Sequence, residues 1–182
     1  MTYDFDALLD RVEKPARYTG GEMNAEVKPI SQAEISFAFC FPDTYEVAMS
    51  HLGMKILYGI LNELPYAVCE RVCMPWVDML CELRKNNIPL CSLESHTPLS
   101  RFDIIGFTLQ YEMSYTNVLE MMDLGGVPVD RVGAGYPADN SLIQKHREEK
   151  ASVFGACALI HLARAVDEKI AQTTVFVTVA GG

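Results

Sequence analysis

Apolar positions gather along the chain into runs that are apolar on both parities, the pattern of strands covered on both faces of a parallel sheet. The first is Ile35-Ser36-Phe37-Ala38-Phe39-Cys40-Phe41, which Pro42-Asp43-Thr44-Tyr45 ends as a loop. Asp103-Ile104-Ile105-Gly106-Phe107-Thr108-Leu109 is another, and Thr174-Val175-Phe176-Val177-Thr178-Val179 a third. Between the first two, Ala67-Val68-Cys69-Glu70-Arg71-Val72-Cys73 alternates only in part and reads as a further strand. Ile88-Pro89-Leu90-Cys91-Ser92-Leu93 is a short extended piece whose proline suits a strand start or an edge.

Helical spacing fills the gaps. From about Ser50, the residues Leu52, Ile56, Ile60 and Leu64 recur every four positions with Leu57 and Leu61 beside them, until Pro65 stops the helix. After Pro75, an apolar stripe of Trp76, Met79, Leu80 and Leu83 predicts a second helix, with Arg84 and Lys85 in its last turn, where cations suit the dipole. A third helix is predicted over about 114–124, closed by Gly125-Gly126. A long helical pattern covers about 141–172, with Gly155 as the place for a break. Strands alternating with helices predict an α/β fold, doubly wound around a mostly parallel sheet. Residues 1–33 read as an N-terminal extension, in which Arg17-Tyr18-Thr19-Gly20-Gly21-Glu22 is a polar loop lying over a surface. Residues 34–182 read as one α/β domain, with 130–172 an atypical helical segment inside it.

Composition narrows the function. The chain has 182 residues, 49% hydrophobic and 21% charged, which excludes wholesale disorder and coiled coil. Lys+Arg 15 against Asp+Glu 24 leaves a formal charge of -9, without the electrostatic footprint of a nucleic-acid binder. The N-terminus is acidic and lacks an apolar signal region, and no run reaches the length of a membrane span. The expected location is the cytoplasm, with the six cysteines as thiols. Cys69, Cys73, Cys81 and Cys91 match neither paired zinc spacing nor the C-x3-C-x2-C of a radical SAM cluster, so core packing is the preferred reading.

Ligands of an open parallel sheet bind outside the carboxyl ends of its strands. That selects Asp43, Thr44, Tyr45, Ser50, His51 and Gly53 after the first strand, and Thr108, Gln110 and Tyr111 after the Asp103 strand. Gly181 and Gly182, after the last strand, would let a flat ligand lie against backbone. Asp43 and Ser50 are equally turn formers or helix caps, and His51 divides between capping and ligation. No hydrolase elbow, P-loop or dinucleotide fingerprint is present, and no catalytic residue is assigned.

Several longer strings resemble a family of radical SAM proteins with a cobalamin-binding domain. They are Arg17-Tyr18-Thr19-Gly20-Gly21-Glu22, the run from Phe41 to Tyr58, Glu70-Arg71-Val72, Pro75-Trp76-Val77-Asp78-Met79, Ser92-Leu93-Glu94-Ser95 and the run from Phe102 to Leu119. Val179-Ala180-Gly181-Gly182 looks like that family's next strand and glycine pair. The resemblance implies a flavodoxin-like, cobalamin-binding-type domain set before a radical SAM barrel, supplied in cis or in trans. The [4Fe-4S] cluster and S-adenosylmethionine belong to that barrel, and this chain alone is expected not to be catalytic. The D-x-H-x-x-G signature of a cobalt-ligating histidine is not met. Met49 stands two residues before His51 and Met54 three after it. His51 is carried as a weak candidate for a cobalt ligand, and cobalamin without it stays open. The alternative is a degenerate structural or partner-binding domain that holds no corrinoid. Residues 130–172 depart from the family pattern.

Overall fold

The computed structural model of the chain describes residues 5–109, 113–127 and, as backbone, 174–179. One sheet contains β1 (Ile35–Phe41), β2 (Ala67–Cys73), β3 (Ile104–Leu109) and β4 (Thr174–Val179), in spatial order β2-β1-β3-β4. The helices among the described residues are α1 (Asp6–Leu9), α2 (Tyr45–Ser50), α3 (Leu52–Glu63), α4 (Val77–Asn86) and α5 (Ser114–Leu124). β1 runs parallel to both of its neighbours, with Ile35 beside Ala67 and Phe37 beside Ile104. A three-stranded parallel sheet flanked by helices is the α/β, flavodoxin-like arrangement. The chain steps from β1 outward to β2 and then back across to β3, which puts the topological switch point between β1 and β3.

β4 pairs with β3 antiparallel, Ile104 opposite Val179 and Leu109 opposite Thr174. An apolar run carries no direction, so its sequence could not reveal this. The start of β4 therefore lies at the carboxyl edge of the parallel strands, and its end beside the amino end of β3. The segment 130–172, including its expected helix, lies outside the described residues.

Strand parity divides the core. Ala38, Cys40, Val72, Ile105 and Phe107 face one side, packed with Leu8, Val12, Met79, Leu83, Met121 and Met122. Phe39, Phe41, Cys69 and Cys73 face the other and receive Met54, Leu57, Tyr58 and Leu61 of α3. The phase of α3 corrects the expected stripe: Leu52 is 69% exposed, while Met54, Leu57, Tyr58 and Leu61 are buried. His51 stands in extended backbone between α2 and α3 and resets the helical phase there. α5 has the expected bounds. α4 begins at Val77, one residue after Trp76, which is its half-exposed N-cap.

β2 is the outermost parallel strand, yet all seven of its residues are buried. The loop 91–97 runs along its free edge: Leu93 N donates to Arg71 O at 2.8 Å, and Arg71 N donates to Glu94 Oε2 at 2.8 Å. The segment before β1 also enters the fold. Leu8 and Val12 are buried, Glu26 N donates to Tyr58 Oη at 2.7 Å, and Lys28 Nζ reaches Asn62 O. Among the described residues no helix is long and apolar enough to cross a membrane.

Candidate functional site

At the carboxyl edge, β1 ends in the buried pair Phe41-Pro42, and proline ends the ladder because it has no amide to donate. Two connections fix the loop that follows. Asn117 Nδ2 of α5 donates to Pro42 O at 2.9 Å, spanning the switch point. On the other side, Met74 N donates to Phe41 O at 3.1 Å and to Asp43 O at 3.0 Å, tying the loop to the end of β2. The β1–α2 loop is thus anchored to the end of β2 on one side and to the first turn of α5 on the other.

The structure places each expected residue of this loop. Asp43 Oδ1 accepts from the adjacent Thr44 N at 2.7 Å, a local side-chain-to-backbone bond. Thr44 is the N-cap of α2 without a side-chain cap bond. Tyr45 donates its hydroxyl to Glu22 Oε1 at 2.6 Å, and burial with the Glu22 charge pushes its pKa up to about 12. Ser50 Oγ donates to Val47 O at 2.7 Å within its own helix. His51 caps α3: its Nδ1 accepts from Met54 N at 3.2 Å, with its ring centroid 5.4 Å from that of Phe41. Gly53 is in the first turn of α3.

Thr108 lies one residue beyond the last β1–β3 pair, Cys40 with Phe107. It is 1% exposed, and its Oγ1 is a buried hydroxyl with no hydrogen-bond partner among the described residues. Gln110, Tyr111, Gly181 and Gly182 lie outside the described residues. The strand before the two glycines ends beside Ile104, at the amino edge of β3. Around the carboxyl edge, Val47, Leu52, Trp76, Val77, Met113 and Tyr115 expose large apolar surface. They stand near the starts of the helices that follow β1, β2 and β3.

A charged cluster, which the functional reading of the sequence passed over, lies beside the loop. Arg71, 5% exposed, donates from Nε to Glu94 Oε1 at 2.6 Å and from Nη2 to Glu22 Oε2 at 2.5 Å, and lies 4.8 Å from the Tyr58 ring centroid. Burial alone would weaken its hold on the proton, but Glu94 and Glu22 more than offset that and hold the guanidinium charged. Burial pushes the Glu94 carboxyl up against the pull of Arg71. On the opposite face Glu70, 1% exposed, accepts from Ser92 Oγ at 2.5 Å and Ser95 Oγ at 2.7 Å through Oε2, while its Oε1 has no partner among the described residues. The signal for these residues was the adjacent pair Glu70-Arg71 inside an otherwise apolar strand, since buried charges require partners.

The five cysteines among the described residues do not assemble. Cys40, Cys69 and Cys73 are buried, Cys91 is half-buried and Cys81 is exposed. Burial pushes the Cys73 thiol up to about 12 and that of Cys91 to about 11, away from the thiolate that binds metal. Among the described residues no group of three His, Cys, Asp or Glu side chains converges on a metal position.

Residues 53–133 match the family model described as radical SAM proteins, N-terminal. The match runs from the first turn of α3 through β2, α4, β3 and α5, and supports a radical SAM N-terminal region over that part of the chain. Neither the curated proteins nor the solved structures contain a match to the chain.

Proposed function

We infer that the chain is a cobalamin-binding-type module of a radical SAM protein, non-catalytic on its own and acting with a barrel domain supplied in cis or in trans. The family match over residues 53–133 carries this reading. Two features of the fold support it: the β1–β3 switch point, and the exposed apolar rim around it. When bound, a corrinoid would supply a cobalt able to carry a methyl group. The surrounding residues fit a ligand held by contact with backbone and apolar side chains, with Asp43, Thr44, Gly53 and Thr108 at its border. Gln110 and Tyr111 remain with it as sequence-based candidates, whereas Gly181 and Gly182 follow a strand that ends at the amino edge of β3, opposite this site.

His51 fits a cobalt-ligand role poorly while its cap stands. A neutral imidazole has one N–H, and Nδ1 is the acceptor for Met54 N, so Nε2 carries the proton and has no lone pair for a metal. The proposal therefore has the corrinoid bound without His51 on cobalt. A specific observation favours the alternative, a structural or partner-binding domain that holds no corrinoid. Tyr45, Ser50 and His51 spend polar atoms on bonds within the chain.

The two readings part on one measurement. The purified chain is mixed with hydroxocobalamin at roughly tens of micromolar, an ordinary range for a cofactor site, then desalted, and its visible spectrum is recorded. Retained corrinoid supports the module, and a colourless protein sinks it. An unchanged bound spectrum in His51→Ala supports binding without the histidine, whereas a shifted one restores His51 as a ligand.

A further inference from the structure

Residues 17–22 remain without a task in the ligand reading, yet each polar or glycine position among them other than Thr19 has a defined one in the structure. Arg17 donates from Nε to Glu46 Oε1 on α2 at 2.8 Å, and its guanidinium lies 5.3 Å from the Trp76 ring centroid. Tyr18 Oη accepts from Trp76 N at 3.1 Å, at the amino end of α4. Gly20 has φ +58°, and a Cβ there would come within 2.5 Å of Leu93 O, so only glycine fits both the backbone and the approach. Gly21, at φ +75°, continues the left-handed turn. Glu22 closes it, bonded to both Tyr45 and Arg71.

The attachment points share one location. Tyr45 and Glu46 open α2 after β1, Trp76 precedes α4 after β2, and Arg71 is two residues from the end of β2. We propose that residues 17–22 form a clasp over the β1–β2 half of the carboxyl edge, latched by the Glu22–Arg71 bridge, which keeps that half closed. The clasp is a positioning device. Through Tyr45 and Glu46 it holds the start of α2, and with it the loop that borders the switch point. Beneath it lies a cavity of about 30 Å³ lined in part by Tyr18, Cys73, Pro75 and Cys91. That is room for about one water, far below the volume of a cofactor. The clasp stands on its own contacts, whether or not the chain binds a corrinoid.

Trp76 is the one tryptophan of the chain, so its emission reports on the clasp directly. The test uses the full chain with Glu22→Gln, which keeps the shape and removes the charge, and Gly20→Ala, which disrupts the turn without touching the bridge. The readouts are acrylamide quenching of Trp76, the rate of tryptic cleavage after Arg17, and far-UV circular dichroism. Loss of a charge-assisted hydrogen bond is expected to raise local opening, and with it the cleavage rate, about tenfold or more. Both variants should show this with stronger quenching and an unchanged dichroism spectrum. Cleavage and quenching like those of the unaltered chain in both variants would overturn the clasp. Unfolding of both, seen as loss of the dichroism signal, would overturn it too, because residues 17–22 would then be part of the cooperative core. If one variant unfolds, the other decides by the same two readouts.

Discussion

His51 shows how a single side chain can be read two ways from sequence and one way from geometry. Its bond from Met54 N satisfies an amide that the start of α3 would otherwise leave unpaired. His51→Ala is therefore expected to lower stability by about 1 kcal/mol, the usual cost of a lost cap, measured as a shift of the urea midpoint. An unchanged midpoint would remove the capping role. The buried charges act on a larger scale. Arg71→Met leaves Glu94 buried without its counter-ion, and the expected loss is about 3–5 kcal/mol, read from the same titration. Glu22 gives the pH dependence. Burial raises its pKa, but the bonds from Tyr45 and Arg71 lower it further, so the folded value lies below the ordinary carboxylate value. A lowered folded pKa means that this stabilisation is present above the unfolded value and fades as pH falls through the folded one. The difference in urea midpoint between the unaltered chain and Glu22→Gln should thus shrink on acidification below the ordinary carboxylate range. A difference that stays constant there would contradict the assignment.

The elements themselves show which information was local. β1, β3 and β4 were legible as apolar runs, and α5 was legible to the residue because Gly125-Gly126 stops it. α3 was legible as a helix but not in its phase. Apolar residues surround it, and the side that meets the sheet depends on the extended step at His51 that separates it from α2. Glu70-Arg71 was visible as an anomaly in β2, but its partners Glu22, Glu94, Ser92 and Ser95 come from other segments and no local pattern pairs them. The antiparallel direction of β4 was invisible for the same reason. Gly106 is an element-level case in which a small residue has a spatial reason. A Cβ there would come within 2.6 Å of the Phe37 ring, which crosses β3 at that point. Gly106→Ala should cost about 1–3 kcal/mol through overpacking, with the loss visible as a lower thermal midpoint. A neutral outcome would mean that the Phe37 ring moves aside freely.

At the scale of the whole molecule, the residues before β1 and the loop 91–97 wrap the β2 side of the sheet. They bury β2 completely, although among the described residues only β1 pairs with it as a strand. An outermost strand with free amides and carbonyls is a template on which a second chain can add its own strand. Here Glu94 takes the Arg71 amide and Leu93 takes its carbonyl, so the middle of that template is already used by the chain's own loop. The carboxylate that keeps Arg71 charged thus also guards the molecule against self-association. Detaching the loop would bare that edge: Glu94→Ala should raise the scattering of a concentrated solution before it melts the helices, and the order of those two events, followed by light scattering and circular dichroism on one heated sample, tells a lost guard from a lost fold.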